Sequence, residues 1–243
     1  MLKALFFDMD DTLCDTQSAN QKAVDWLLAE LASHGDFDHE VFISQYLSAI
    51  YRELDDQLKQ LTDPIKDESD YRHFVFDYFL KQHQIEPNDA LMSYVALFDH
   101  KRIEFFDFYP GVKQMLIDLR SQYKLVLITN GPAYSQVPKV EQVKMSEYCD
   151  HVLIGGLEPE QKPAKSIFDK ACRLADCLAN ETLHVGDSLG SDIKGAKCAG
   201  IKSFWILPEF TEFSAVNPES DYVADSVLHI DKVLELEAQA HHA

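Results

Sequence analysis

Positive charge is what this sequence has least of. Its 22 lysines and arginines face 41 aspartates and glutamates, a formal net charge of −19 in 243 residues. Such a field repels nucleic-acid phosphates and anionic lipid, so neither nucleic acid nor a membrane is expected as a partner. Residues 15–107 carry 19 acidic and 8 basic groups, so the excess is spread along the chain and describes a solvated acidic surface. A phosphorylated small molecule is repelled too, unless a cation or a local basic group intervenes. Long apolar runs are also missing. LKALFF and LVLI stop far short of the ~18 residues of a membrane span, and no basic-then-apolar segment precedes Asp8. A cytoplasmic protein is expected. Cysteine is sparse and irregular: five residues, at 14, 149, 172, 177 and 198, form no CxxC pair. That excludes a disulfide mini-scaffold and a cysteine zinc site, and it fits a reducing compartment. What is present, 46% apolar and 26% charged residues, is an ordinary globular composition that rules out disorder and collagen. At ~150 residues per domain, the length allows between one and two domains.

The pattern changes twice along the chain. Leu2–Phe7 is short, apolar and aromatic and runs straight into Asp8, which reads as a buried strand ending in a polar loop. Helical spacing comes next. Ala23, Val24, Leu27, Leu28 and Leu31 make one stripe, after the N-cap candidates Asp15 and Thr16. Ile43, Tyr46, Leu47, Ile50, Leu54, Leu58 and Leu61 make a second, stopping near Asp63-Pro64. Tyr71, Phe74, Val75, Tyr78 and Phe79 make a third and Leu91, Tyr94, Val95, Phe98 and Phe105 a fourth. These predict a bundle of four helices. From Pro110 the chain alternates instead: helix 111–122, strand 125–128, a helix, strand 151–154, helix 164–176, strand 182–185, helix 191–199 and strand 203–206. Such alternation argues for a parallel sheet covered on both faces. The expectation is an α/β fold, a Rossmann-like parallel sheet core of residues 1–14 and 108–243, with an inserted α-helical cap of residues 15–107. The end, 238–243, reads as a frayed tail whose His241 and His242 lack a third ligand.

Ligands of open α/β sheets gather at the carboxyl ends of the strands. In this chain the strand ends run into Asp8-Met9-Asp10-Asp11-Thr12, then Thr129-Asn130-Gly131, then Lys162-Pro163 after a loop, then Gly186-Asp187-Ser188 with Asp192. Each has a plainer reading alone. Asp11-Thr12 and Asn130-Gly131 suit turns, the Thr129 hydroxyl suits a strand end, Lys162 suits the surface, and Asp192 suits the cap of a helix beginning near Ser191. In order and on one rim, they supply carboxylates, a hydroxyl, an amide and a lysine. Crowded carboxylates stay ionised only with positive charge between them. A few oxygen ligands with water positions left over suit Mg²⁺, which would also draw phosphate toward so acidic a chain.

On these residues the sequence resembles the haloacid dehalogenase superfamily of phosphohydrolases. Asp8-Met9-Asp10-Asp11-Thr12-Leu13 is similar to its first motif and Leu127-Ile128-Thr129-Asn130-Gly131 to its second. Lys162-Pro163 is similar to the third, and Val185-Gly186-Asp187-Ser188 with Asp192 to the fourth. The resemblance implies that Asp8 is a nucleophile forming an aspartyl-phosphate and that Asp10 is its acid–base partner. It implies phosphate contacts from Met9, Asp10, Thr129, Asn130 and Lys162. It also implies Mg²⁺ held by Asp8, the Asp10 backbone carbonyl and Asp187, with Asp192 in support, and a helical cap that closes over the site and reads the substrate.

A narrower likeness, carried by Gly155-Gly156, Lys162–Phe168 and Ser226-Val227-Leu228, is to enzymes that release phosphate from a phosphorylated sialic acid. Pro132 and Pro138 depart from the usual charged run after the second motif, so the helix there is expected to begin late. The leading expectation is a Mg²⁺-dependent phosphatase acting on a small-molecule phosphomonoester such as a phosphorylated sugar, as a monomer or homodimer. A nucleoside 5'-monophosphatase is the nearest rival. A dehalogenase fits less well, because the resemblance places an acid–base aspartate at residue 10. A non-catalytic scaffold keeping the fold is the alternative of another class.

Overall fold

The computed structural model describes residues 1–35, 37–207 and 220–240. Its organising element is β1, Ala4–Phe7, in which all four side chains are buried. A short strand with no polar face needs neighbours on both edges and covering layers on both sides, the situation of a central strand in a parallel sheet. β1 pairs in parallel with β2 (Lys124–Thr129) on one edge and β4 (Thr182–Gly186) on the other. β3 (His151–Ile154) lies beyond β2, and β5 (Lys202–Ile206) and β6 (Tyr222–Ala224) lie beyond β4, giving the order β3-β2-β1-β4-β5-β6. The three-residue β6 is too short for its periodicity to stand out. On one face Ala4, Phe6, Val126 and Ile128 pack with Ile167, Phe168 and Ala171 of α8 (Lys165–Ala175) and Ala196 of α9 (Lys194–Ala199). The sheet unit also holds α6 (Val112–Arg120) and α7 (Ala133–Gln142). The chain described up to Ala240 ends in α10 (Ile230–Ala240) where a tail is expected, while His241 and His242 lie outside the described residues.

Residues 18–105 form a second compact unit, and residues 1–17 and 106–243 make up the first. These limits fall slightly inside the expected 15 and 107. The strip beside each junction is bonded into the sheet unit, with Asp15 N donating to Asp107 O and Thr16 Oγ1 to Asp10. The second unit is built by α1 (Thr16–Leu31), α2 (His39–Ile50), α3 (Asp56–Thr62), α4 (Glu68–Gln82) and α5 (Asp89–Glu104). The stripe from Ile43 to Leu61 is therefore two helices rather than one. The chain leaves helical geometry at Arg52, which takes a left-handed φ of 65°, and Asp55 restarts it by accepting from Leu58 N at 2.7 Å. Apolar spacing runs through the break because Leu54 packs on the same core as Ile50 and Leu58, so periodicity conceals it. Asp38, Asp67 and Asn88 cap α2, α4 and α5 in the same way, each cap contributing about 1 kcal/mol.

Phe76 is the centre of this core, with edge-to-face contacts to Phe42 and Tyr46 at 5.1 Å each. Leu61 belongs to the same sequence stripe yet is 45% exposed. Phe76→Ala is expected to lower the unfolding free energy by about 3–5 kcal/mol. Leu61→Ala is expected to change it by no more than about 0.5 kcal/mol. Urea melts of the two variants check this, and comparable losses would contradict the assigned core.

Candidate active site

β1 lies between β2 and β4 with Phe7 opposite Leu127 and Val185, so the residues just beyond these strands emerge side by side. Asp8 extends the ladder by one step, its N–H donating to Val185 O at 2.9 Å. The chain then turns back: Met9 O accepts from Leu13 N and Cys14 N at 3.0 and 2.9 Å, and Asp11 adopts a left-handed φ of 54°. The Met9 side chain is fully buried, which leaves its backbone as the part able to meet a ligand.

Lys162 is the hub of the site. Only 2% exposed, its ammonium donates to Asp8 Oδ1 at 2.6 Å and to Asp192 Oδ1 at 2.7 Å. Burial opposes that charge, but Asp192 and Asp8 outweigh it and hold Lys162 above the ordinary lysine value. Asp192 has no exposure. Besides Lys162 it bonds His184 at 2.8 Å and accepts from Ser188 N at 3.0 Å. Burial would raise its pKa, yet Lys162 and His184 keep it below the usual carboxylate range. Burial also lowers the pKa of His184, and its Nε2–H donates to the acceptor-only Asp192 carboxylate. Gly186 makes this possible, because a Cβ there would stand 2.2 Å from Asp192 Cγ.

Carboxylate oxygens of Asp8, Asp187 and Asp192 all lie within 4.8 Å of one another. Burial, the neighbouring Asp192 and Asp11 push Asp187 up to about 6. Burial raises Asp8 well above its usual range despite Lys162, with Asp192 and Asp187 adding to the rise. A buried and a half-buried carboxyl, Asp8 and Asp187, both held above their usual values, belong to a set that could hold a metal, since a divalent ion would relieve that repulsion. Asp192 is already engaged by Lys162, His184 and Ser188. Asp8 keeps its second oxygen outside the ion pair, and the Asp187 carboxylate takes a long hydrogen bond from the Thr12 hydroxyl at 3.4 Å.

The other expected residues separate into two groups. Thr129 is buried beside the rim, and its hydroxyl makes only a long 3.5 Å contact to Asn130 O. Asn130 is spent elsewhere: Nδ2 donates to Lys162 O at 2.8 Å and Oδ1 accepts from Lys162 N at 2.9 Å. Its side chain clamps the lysine's backbone, leaving only its own backbone N–H for a phosphate. The Asp10 carboxylate is bonded not to Lys162 but to Thr16 and to Gln136 and Lys139 of α7. That helix starts at Ala133, directly after Pro132, earlier than expected, because proline suits a helix entrance. Pro138 lies inside it. Sequence reasoning missed His184, Gln136 and Lys139. His184 sits in an apolar strand, and the polar side chains of α7 read as solvent-facing. The only signal was their spacing of three.

The chain matches the haloacid dehalogenase-like hydrolase family over residues 5–206 and belongs to it. It is 32% identical over 210 residues to the glyceraldehyde 3-phosphate phosphatase of Pyrococcus abyssi, covering 84% of this chain and 81% of that one. It is 29% identical over 239 residues to the human N-acylneuraminate-9-phosphatase, covering 96% and 94%. Among solved structures, the magnesium-bound HAD-hydrolase YfnB of Bacillus subtilis superposes with a TM-score of 0.67 at 22% identity, over 96% of this chain and 98% of that one. No described helix is long and apolar enough to cross a membrane.

The raised Asp187 makes a pH-dependent prediction. A carboxyl at 3.8 in the unfolded chain and about 6 in the metal-free fold favours folding while protonated, and that contribution fades as pH rises through about 6. A divalent cation replaces the proton. MgCl₂ should therefore raise Tm more at about pH 7.5 than at about pH 5, with EDTA reversing the gain. Equal shifts at both pH values would argue against metal on these carboxylates.

Proposed function

We propose that this phosphomonoester hydrolase cleaves a small phosphorylated sugar through a covalent phosphate on Asp8. The observation that carries the reading is the buried Lys162 ammonium bound directly to Asp8 at the carboxyl edge of the sheet. It provides a fixed cation beside a carboxylate, where an incoming phosphoryl group would share it. Asp8, Asp187 and the Asp10 backbone carbonyl would hold Mg²⁺. When bound, Mg²⁺ supplies charge that neutralises the crowded carboxylates and polarises the phosphoryl oxygens.

An Asp8 oxygen forms a bond to phosphorus while the ester P–O bond breaks, and Asp10 gives its proton to the departing sugar oxygen. In the second step a water oxygen attacks the phosphorus, Asp10 takes the water's proton, and the Asp8–phosphorus bond breaks. Ester and water thus become alcohol and phosphate, with both aspartates restored. Lys162, the Thr129 hydroxyl and the backbone N–H groups after β1 offset charge on the transferred oxygens. Asp192 and the Asn130 amide act on the Lys162 end of this set by fixing the lysine in place.

The sugar class is supported by relatives named for glyceraldehyde 3-phosphate and N-acylneuraminate 9-phosphate. Substrate choice is assigned to the helical unit, 18–105. A phosphate-release screen should set these two esters beside nucleoside 5'-monophosphates, and preference for the nucleotides would overturn the sugar assignment.

The chemistry makes its own prediction. Asp8→Asn keeps the shape but removes the nucleophile, so turnover should fall at least about 10⁴-fold with the fold intact. Acid-quenched wild type should carry hydroxylamine-labile phosphate on Asp8, and its absence under rapid turnover would rule out the covalent route. Asp10→Asn should slow alkyl phosphates about 10²–10⁴-fold and para-nitrophenyl phosphate less, because the nitrophenolate leaves without a proton. Equal losses would count against Asp10 as the acid.

A further inference from the structure

Asp10 stands apart from the Lys162 cluster and is held by three donors. Thr16 Oγ1 and Lys139 Nζ both reach Oδ1 at 2.6 Å, and Gln136 Nε2 reaches Oδ2 at 3.1 Å. Gln136 and Lys139 lie three residues apart on α7, one turn of the helix, so both side chains leave from the same face. Their exposures are only 6% and 8%, although glutamine and lysine ordinarily keep their polar ends in water. The Lys139 ammonium also sits over the Phe106 ring, 5.2 Å from its centroid, which closes off its apolar side. Gln136 brings its amide Nε2 to Asp10, while its Oε1 is buried and meets no hydrogen-bond partner among the described residues.

The pair reaches both oxygens of one carboxylate from a single rigid element. Thr16, by contrast, comes from the segment just after the turn that carries Asp10, and it fixes one oxygen only. From these contacts we infer that Gln136 and Lys139 are positioning residues that set where the Asp10 carboxylate stands. They touch the reaction only through Asp10. The inference rests on the reading of Asp10 as the acid–base partner in the proposed function.

Lys139→Met keeps the length of the side chain and removes the donor. It should lower kcat for phenyl phosphate about 10–100-fold, the cost of misplacing a reacting group by about 1 Å. The loss for para-nitrophenyl phosphate should be smaller, and KM should change less than about threefold. Lys139→Arg should recover part of the rate, and Gln136→Leu should show the same ester dependence in weaker form. The deciding measurement is the double variant: with Asp10→Asn already present, Lys139→Met should slow the enzyme no further. Multiplying losses in the double variant, or equal losses for both esters with a raised KM, would overturn the inference and make Lys139 a direct phosphate contact or a packing residue. If Lys139→Met fails to fold, Gln136→Leu in the same cycle carries the test. Should Asp10→Asn alone turn over at the wild-type rate, the acid–base reading fails and this inference with it. An impaired Asp10→Asn with additive partners refutes the inference alone.

Discussion

A single ammonium group, buried between two carboxylates, constrains everything at the edge of this sheet. A buried charge without partners would cost several kcal/mol, so Lys162 can occupy its place only while Asp8 and Asp192 both face it. That requirement reaches backward into the fold. Asp8 must extend the central strand by one residue. Asp192 must press against β4, which only a glycine at 186 allows. The loop bearing Lys162 must be held at both its N–H and its carbonyl, which the Asn130 amide does. His184 completes the arrangement from within the strand, taking part of Asp192's capacity as a neutral donor.

The acidic groups around this hub are sorted by environment rather than by type. Asp192 is driven below its usual range by two donors, while Asp8 and Asp187 are driven above theirs, chiefly by burial. Asp10, two residues from Asp8, pairs instead with Lys139 of α7. Separating carboxylates in this way gives one chemical group several distinct environments along one rim, and the proposed mechanism draws on those differences. It also answers the difficulty raised by the net charge. A strongly acidic chain keeps two of its lysines, Lys139 and Lys162, buried beside these carboxylates, where low dielectric makes each count for more.

Legibility in the amino acids alone divides along physical lines. Asp8, Thr129 and Asp187 are legible because each ends or follows a short apolar run that reads as a buried strand, and strand ends share a rim; Lys162 and Asp192 lie further along the loops and are legible only as members of the ordered set. The role of Asn130 was not, since an amide that clamps a backbone and one that faces a ligand look alike in sequence. Gln136 and Lys139 hide because long polar side chains on a helix ordinarily mean solvent. His184 hides because one imidazole in an apolar strand breaks no pattern. The break between α2 and α3 was invisible for a related reason: apolar spacing reports which side faces the core, not whether the backbone stays helical. β6 is too short to carry any period.

The position of β1 in the sheet has a consequence for how the chain is made. β1 comes before both of its partners in the chain, which begin at Lys124 and Thr182. Until both have left the ribosome, Ala4–Phe7 is an apolar segment with unpaired backbone on either side. The helices of residues 18–105 meet no such delay, because their core is drawn from within their own stretch. Low contact order lets such a bundle form early, while the sheet waits on distant partners. The stretch that separates β1 from its partners is thus one whose own contacts are local, so the wait of Ala4–Phe7 for its neighbours spans the part of the chain quickest to fold.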